Sequence, residues 1–236
     1  MSNFSNMFGS PRNSSSSNWM STTDLMSGLM IVFMFIAIAY MVFIDRKTEK
    51  TFEIVKEWNR SKTKLLEALH DEFDSDLKNW VAVIDDNELS IRFLSPKILF
   101  EPGKSDIKPR FQEILNNFFP RYLRKLQEFK TIVAEIRIEG HTSKEWKRVS
   151  KMEAYLKNME LSQDRTRSVL KFCLNNLKHK IGNELKWAQN LITANGLSSS
   201  QVFFTKGKYD KIKSRRVEFK VRTNAEERIE KILAKR

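Results

Sequence analysis

Two short stretches hold residues whose types and spacing can do chemistry. TTDLMSGLM (Thr22 to Met30) places one carboxylate, Asp24, at the start of an apolar run. A charged acid in a bilayer costs about 2.5–3.5 kcal/mol at the centre and less near an interface. A group kept there is either a polar flank or one that binds and releases a cation. Ser21, Thr22, Thr23 and Ser27 surround it, small hydroxyl residues suited to packing and hydrogen bonding against a neighbouring helix. Met26 to Phe43 holds no second acid, so a passing ion meets a single carboxylate per chain. The second stretch is IEGHTS (Ile138 to Ser143), followed by NMELSQDRTRSVLKF (Asn158 to Phe172). It reads as a strand ending in small hydroxyl groups, then a helix N-capped by Ser162 with Arg165 in its first turn. A helix N-terminus with a nearby arginine suits an anionic group. A capped helix with solvent-facing arginines accounts for the same residues, and the two readings stay open here. His141 reads as a hydrogen-bonded loop residue.

The elements that must position these residues follow from periodicity. Residues 1–20, rich in Ser and Asn, are expected to be a disordered tail. Residues 21–44 are a membrane-spanning helix. Leu25 to Ile44 carries no charge, and at about 1.5 Å per residue it reaches roughly 30 Å, the thickness of a bilayer core. The run is too long for a secretory h-region, its leading flank is almost uncharged, and no small-residue cleavage site follows. Arg46, Lys47 and Lys50 after the span, against Arg12 before it, weakly place the C-terminal side in the cytoplasm.

Residues 45–79 repeat apolar positions at helical spacing: Phe52, Val55, Leu65, Leu66, Leu69, Phe73 and Leu77. That pattern predicts a helical stalk with one apolar face, suited to pairing with a second copy. Residues 80–224 form the globular part. Trp80 to Leu94 reads as a hairpin turning at Asp85-Asp86-Asn87, and Ile107 to Phe129 as a helix interrupted near Pro120. Thr131 to Gly140 and Arg215 to Thr223 read as strands. Leu161 to Lys178 and Glu184 to Asn195 read as helices, the latter ended by Gly196. The expected class is α+β, with helices over one face of a small mixed sheet. Residues 225–236 are a charged tail, expected to be a short helix.

Composition narrows the function. The 236 residues carry 42 Lys+Arg against 29 Asp+Glu, a net charge of +13, which favours an anionic partner. Cys173 is the single cysteine, so an intrachain disulfide is excluded. His70, His141 and His179 are widely spaced, no phosphate loop or nucleophile elbow occurs, and neither an enzyme nor a metal centre is expected.

Phe100 to Val221 resembles the OmpA C-terminal peptidoglycan-binding domain. The matching residues are FEPGKSDI (Phe100 to Ile107), the IEGHTS corner, N-x-x-L-S-x-x-R (Asn158, Leu161, Ser162, Arg165) and SRRVEF (Ser214 to Phe219), in the family's order. The resemblance implies an OmpA-like fold binding peptidoglycan through Thr142, Ser143, Asn158, Leu161 and Arg165. Arg165 would hold a stem-peptide carboxylate. Ser143 departs from the pattern: many members carry there an Asp that grips the free amino group of diaminopimelate. TTDLMSGLMIVFMF is similar to the spanning segment of MotB-type stator subunits, and GHTS-x-x-W with NMELSQDRT is closer to the Zorya anti-phage members than to the flagellar ones.

This second resemblance implies a proton-driven motor in the bacterial inner membrane. Asp24 would carry the proton, or less readily sodium, and no cofactor is needed. Two copies would sit inside a pentameric ring of a MotA/ZorA-like multi-pass partner. The N-terminus would lie in the cytoplasm and the domain in the periplasm on peptidoglycan, against the local charge bias. A flagellar stator and a passive wall anchor without ion flow are the alternatives. A membrane-tethered nucleic-acid binder is a further class, but the bases are scattered and no reader motif is present, so direct nucleic-acid binding is not expected.

Overall fold

The structure, a computed structural model, describes residues 15–176 and 184–224. The chain divides into two compact units, Met1–Ile54 and Val55–Arg236. Helix α1 spans Ser15–Trp80. In the first unit it contains a segment long and apolar enough to cross a membrane, Thr23–Arg46, with mean hydropathy 2.5. The expected tail is partly corrected. Residues 15–20 are already helical, because extending an existing helix costs far less than starting one. Residues 1–14 and the expected helix over 225–236 lie outside the described residues.

The second unit is an α+β domain. Its five-stranded sheet has the order β1-β2-β7-β3-β4. The strands are β1 (Ala82–Asp85), β2 (Ser90–Phe93), β3 (Val133–His141), β4 (Ile192–Gly196) and β7 (Arg216–Thr223). Only β3 and β4 run parallel, and helix α4 (Lys151–Asn176) lies between them in sequence. Helices α2 (Pro96–Leu99), α3 (Pro109–Glu128), α5 (Glu184–Gln189) and α6 (Lys211–Ser214) complete the domain. Strands β5 (Phe203–Thr205) and β6 (Lys208–Asp210) form a separate hairpin.

Strand alternation sorts the two faces of the sheet. Ile91, Phe93, Ile136, Ile138, Val217, Phe219 and Val221 enter the core. Phe118 of α3 is its hub, with ring centroids 4.9 Å from Phe219, 5.2 Å from Phe93 and 5.3 Å from Phe73. The apolar stripe expected to face a second copy is, in its later half, part of this core. Leu65, Leu69 and Phe73 of α1 are fully buried within their own chain. Arg121 of α3 fastens that part of α1, donating to Glu72 Oε1 at 2.6 Å and Asp76 Oδ2 at 2.7 Å. Trp58 Nε1 donates to Thr223 Oγ1 at 2.9 Å.

Three further expectations meet a correction. Pro120 does not interrupt α3, which runs unbroken through it; buried Phe118, Phe119, Tyr122 and Leu123 offset the cost of about 3 kcal/mol for an interior proline. Helix α4 begins at Lys151, not at Ser162, and Ser150 Oγ accepts from Glu153 N at 3.2 Å. Ser162 is therefore a helix-interior residue, donating to Met159 O at 2.9 Å, and Arg165 is not in the first turn. The helix expected over Glu184 to Asn195 stops at Gln189 and gives way to β4. The expected hairpin at Asp85–Asn87 is present, with Asp85 Oδ1 accepting from Asn87 N and Glu88 N, both at 3.0 Å.

Candidate functional site: the cationic cavity at the end of the sheet

Two glycines set the position of α4. Gly140 and Gly196 lie opposite each other at the ends of β3 and β4. A Cβ on Gly140 would stand 2.8 Å from Ser162 O, and one on Gly196 would stand 2.3 Å from Gln163 N. Only glycine lets the helix backbone lie this close to the strands. The contact fixes the Ser162–Thr166 turn, and with it Arg165, over the exit of β3. The loops beyond the two strands are stitched to the same turn. Thr142 N donates to Ser198 O at 2.8 Å, Ser198 N to Ser162 Oγ at 3.0 Å and Leu197 N to Gly140 O at 2.9 Å.

Arg165 borders a cavity of ≈ 460 Å³ whose lining includes Phe100, Glu101, Lys108, Gly140, His141, Arg215 and Arg216. Its Nε donates to Lys104 O at 2.9 Å and its Nη2 to Glu101 O at 3.1 Å, and the guanidinium lies 4.8 Å from the Phe100 ring. A guanidinium has five N–H groups, so three are left without a partner among the described residues. Burial, with Arg215 adding to it, lowers the Arg165 pKa to about 10; the group stays charged at neutral pH. Glu101 is held below the usual carboxylate range by Lys108, whose Nζ lies 2.7 Å from it. The lining is therefore cationic, with Arg165 and Arg215 placed for an anion.

The structure brings together some of the expected site residues and not others. Arg165 lines the cavity, whereas Thr142, Ser143, Asn158 and Leu161 do not. Thr142, Ser143 and Asn158 are buried. Thr142 Oγ1 and Asn158 Nδ2 have no hydrogen-bond partner among the described residues, a state that costs about 1–3 kcal/mol per group. Ser143 lies two residues before Glu145 and helps to hold its carboxyl low. Burial works to raise Glu145, but its own backbone N–H, Ser143 and Lys211 outweigh it and hold the group low. Asp24 sits in the first unit, one residue inside the span, beside a turn in which Ser27 Oγ donates to Thr23 O at 2.8 Å.

One cluster was not foreseen from the sequence. His141, Glu139 and Glu218 hold possible metal-ligating atoms within 4.8 Å of one another. His141 is a buried strand residue, with Nε2 3.5 Å from Glu218 Oε1 and 3.7 Å from Glu139 Oε2. Glu218 already faces Arg216 Nε and, at 3.1 Å, Arg92 Nε. Two guanidiniums thus answer its charge, and the cluster is a buried ion network rather than an open cation site. Strand alternation places these side chains on one face. The residues come together across β2, β7 and β3, a register that the isolated sequence does not reveal.

The fold and the cavity define an OmpA-type domain, and the OmpA family matches residues 99–224. Zorya protein ZorB of Escherichia coli (strain ATCC 8739 / DSM 1576 / NBRC 3972 / NCIMB 8545 / WDCM 00012 / Crooks) is 44% identical over 218 residues, 92% of each chain. The chain belongs to the OmpA family and, within it, to the ZorB proteins. Solved structures similar to it include a MotB-like protein from Desulfovibrio vulgaris, at 20% identity and TM-score 0.46, covering 73% of this chain and 94% of that one. Another is the periplasmic domain of Helicobacter pylori MotB, at 19% identity and TM-score 0.40, covering 61% and 83%.

Proposed function

We propose that the chain is the wall-anchored stator subunit of an ion-driven motor in the bacterial inner membrane, serving anti-phage defence. The N-terminus lies in the cytoplasm and the domain in the periplasm. Two copies stand within a ring of a MotA/ZorA-like multi-pass partner. The domain grips peptidoglycan and keeps the stator still, while Asp24 on each copy takes up and releases a proton. The observation that carries this reading is Arg165, set at a cationic cavity in an OmpA domain with three N–H groups unpartnered among the described residues. A stem-peptide carboxylate is its expected ligand. Ser143 supplies no charge of its own, and Glu145, two residues on, supplies the acid nearest in sequence for an amino group.

The test is sedimentation of the full chain, in lipid nanodiscs, with isolated peptidoglycan sacculi. The wild type is expected to co-sediment and Arg165→Ala to lose most of that binding. A wild-type chain that stays in the supernatant refutes the anchor. Asp24→Asn, expressed with the partner, is expected to leave the complex assembled and abolish protection in a phage-plating assay. Full protection by Asp24→Asn would favour the passive-anchor reading instead.

A further inference from the structure

We propose that the β5–β6 hairpin is a second wall-binding element, holding the glycan strand whose stem peptide occupies the Arg165 cavity. This rests on the wall-anchor reading above. The hairpin is built around the dipeptide Lys206-Gly207, both residues at positive φ (52° and 74°), the tight turn that suits strand twist. Phe204 is 58% exposed and stands opposite Tyr209, ring centroids 6.4 Å apart. The hairpin is firmly seated, since Phe203 lies under Arg216 at 4.4 Å and Ser214 Oγ accepts from Phe203 N at 2.9 Å.

Charge and continuity identify the partner. Lys206 and Lys208 are exposed and have no ion pair among the described residues. The local acids are engaged, Glu145 with Lys211 at 3.5 Å and Asp210 with the first N–H groups of α6. Lys144 Nζ stands 5.8 Å from the Phe204 ring and 5.5 Å from that of Tyr209, and Lys144 N donates to Tyr209 Oη at 3.0 Å. Lys144 directly follows Ser143, so one side of the hairpin joins the loop leaving β3. Its other side leads through α6 to Arg215, which lines the cavity. A ligand emerging from the cavity thus meets a surface of rings flanked by ammonium groups. Sugar rings present C–H faces to such aromatic rings, and neighbouring stem peptides present carboxylates to the lysines. The tip itself is Lys206-Gly207-Lys208, with Phe204 on the flank. That arrangement suits lying along an elongated polymer rather than inserting an apolar tip into a bilayer.

The test compares two ligands on the full chain in phosphatidylcholine nanodiscs: intact sacculi, and free stem peptide released from them by amidase. Phe204→Ala combined with Lys206→Ala and Lys208→Ala is expected to weaken sacculus binding by about tenfold, a few weak exposed contacts together. The same variant should bind free stem peptide as the wild type does, whereas Arg165→Ala weakens both. Wild-type sacculus binding by the triple variant overturns the proposal, as does an equal loss on free stem peptide. Undiminished binding of both ligands by Arg165→Ala would instead remove the wall-anchor reading at the cavity. Exchange into phosphatidylglycerol nanodiscs should leave sacculus binding unchanged. A weakening confined to the wild type would assign the hairpin to the bilayer and overturn the proposal.

Discussion

Adding one methyl group at Gly196 is expected to unseat α4 and, with it, Arg165 at the cavity. The new Cβ would lie 2.3 Å from Gln163 N, 2.6 Å from its Cγ and 2.7 Å from its Cα. Carbon contacts settle at about 3.5–4.0 Å, so helix and strand must part by roughly 1 Å. Overpacking of this kind costs about 1–3 kcal/mol. With a urea dependence of roughly 1–3 kcal/mol per molar, the unfolding midpoint should fall by about 1 M. The assay is a urea titration of the full chain in detergent, followed by tryptophan fluorescence, with buried Trp80 among the reporters. Arg165 lies two residues beyond Gln163, so the same shift should loosen its bonds to Lys104 O and Glu101 O and weaken sacculus binding. Gln163→Ala should not rescue Gly196→Ala, because two of the three contacts are backbone atoms. Gly140→Ala should be partly rescued by Thr166→Ser, which removes the 2.6 Å contact with Thr166 Cγ2 but leaves Ser162 O in place. Wild-type unfolding and binding by Gly196→Ala would refute the claim that this close approach sets the site.

Two further outcomes test the frame around the site. Arg121→Ala should destabilise the domain by about 1–3 kcal/mol, since it strips Glu72 and Asp76 of their shared partner, and Arg121→Lys should recover only part of that in the same titration. Burial pushes His141 below its ordinary value despite the neighbouring carboxylates; the unfolded chain then binds more protons below about pH 6.5, and stability falls on acidification. His70 acts in the opposite sense. Its hydrogen bond with Asp86, supported by Asp74, raises it, so its contribution is present at low pH and lost as pH rises through the folded value. Urea midpoints at mildly acidic and neutral pH should therefore show a flatter acid loss in His141→Gln and a steeper one in His70→Gln.

How legible the molecule was depends on how local each signal is. The hairpin at Asp85, strand β3 and strand β7 were readable because alternation and turn residues are carried within a few positions. The start of α4 is also written locally, as Ser150-x-x-Glu153, the pattern of a capping box, and it competes with the N-cap pattern at Ser162. Strand β4 is hidden in the sequence because Gly196 reads as a helix stop. Its glycine instead serves the close approach of α4, a reason that exists only in three dimensions. The stripe on α1 posed a different difficulty. Leu65, Leu69 and Phe73 have the same spacing whether they face a second copy or their own sheet, and periodicity does not distinguish the two. At the site, Arg165 was legible as a motif residue. The cavity around it was not, because Phe100, Arg165 and Arg215 meet only through the fold.

The place of β7 in the sheet bears on when the protein becomes competent. It is the last of the described strands in the chain, yet it lies between β2 and β3 and pairs with both. Until it is synthesised, β2 and β3 have no common neighbour, and Arg215 and Arg216 are missing from the cavity. A chain that lacks it therefore holds two open half-sheets, β1-β2 and β3-β4. These join into one domain only when its last strand slots into the middle, so the cavity is unfinished until β7 is in place.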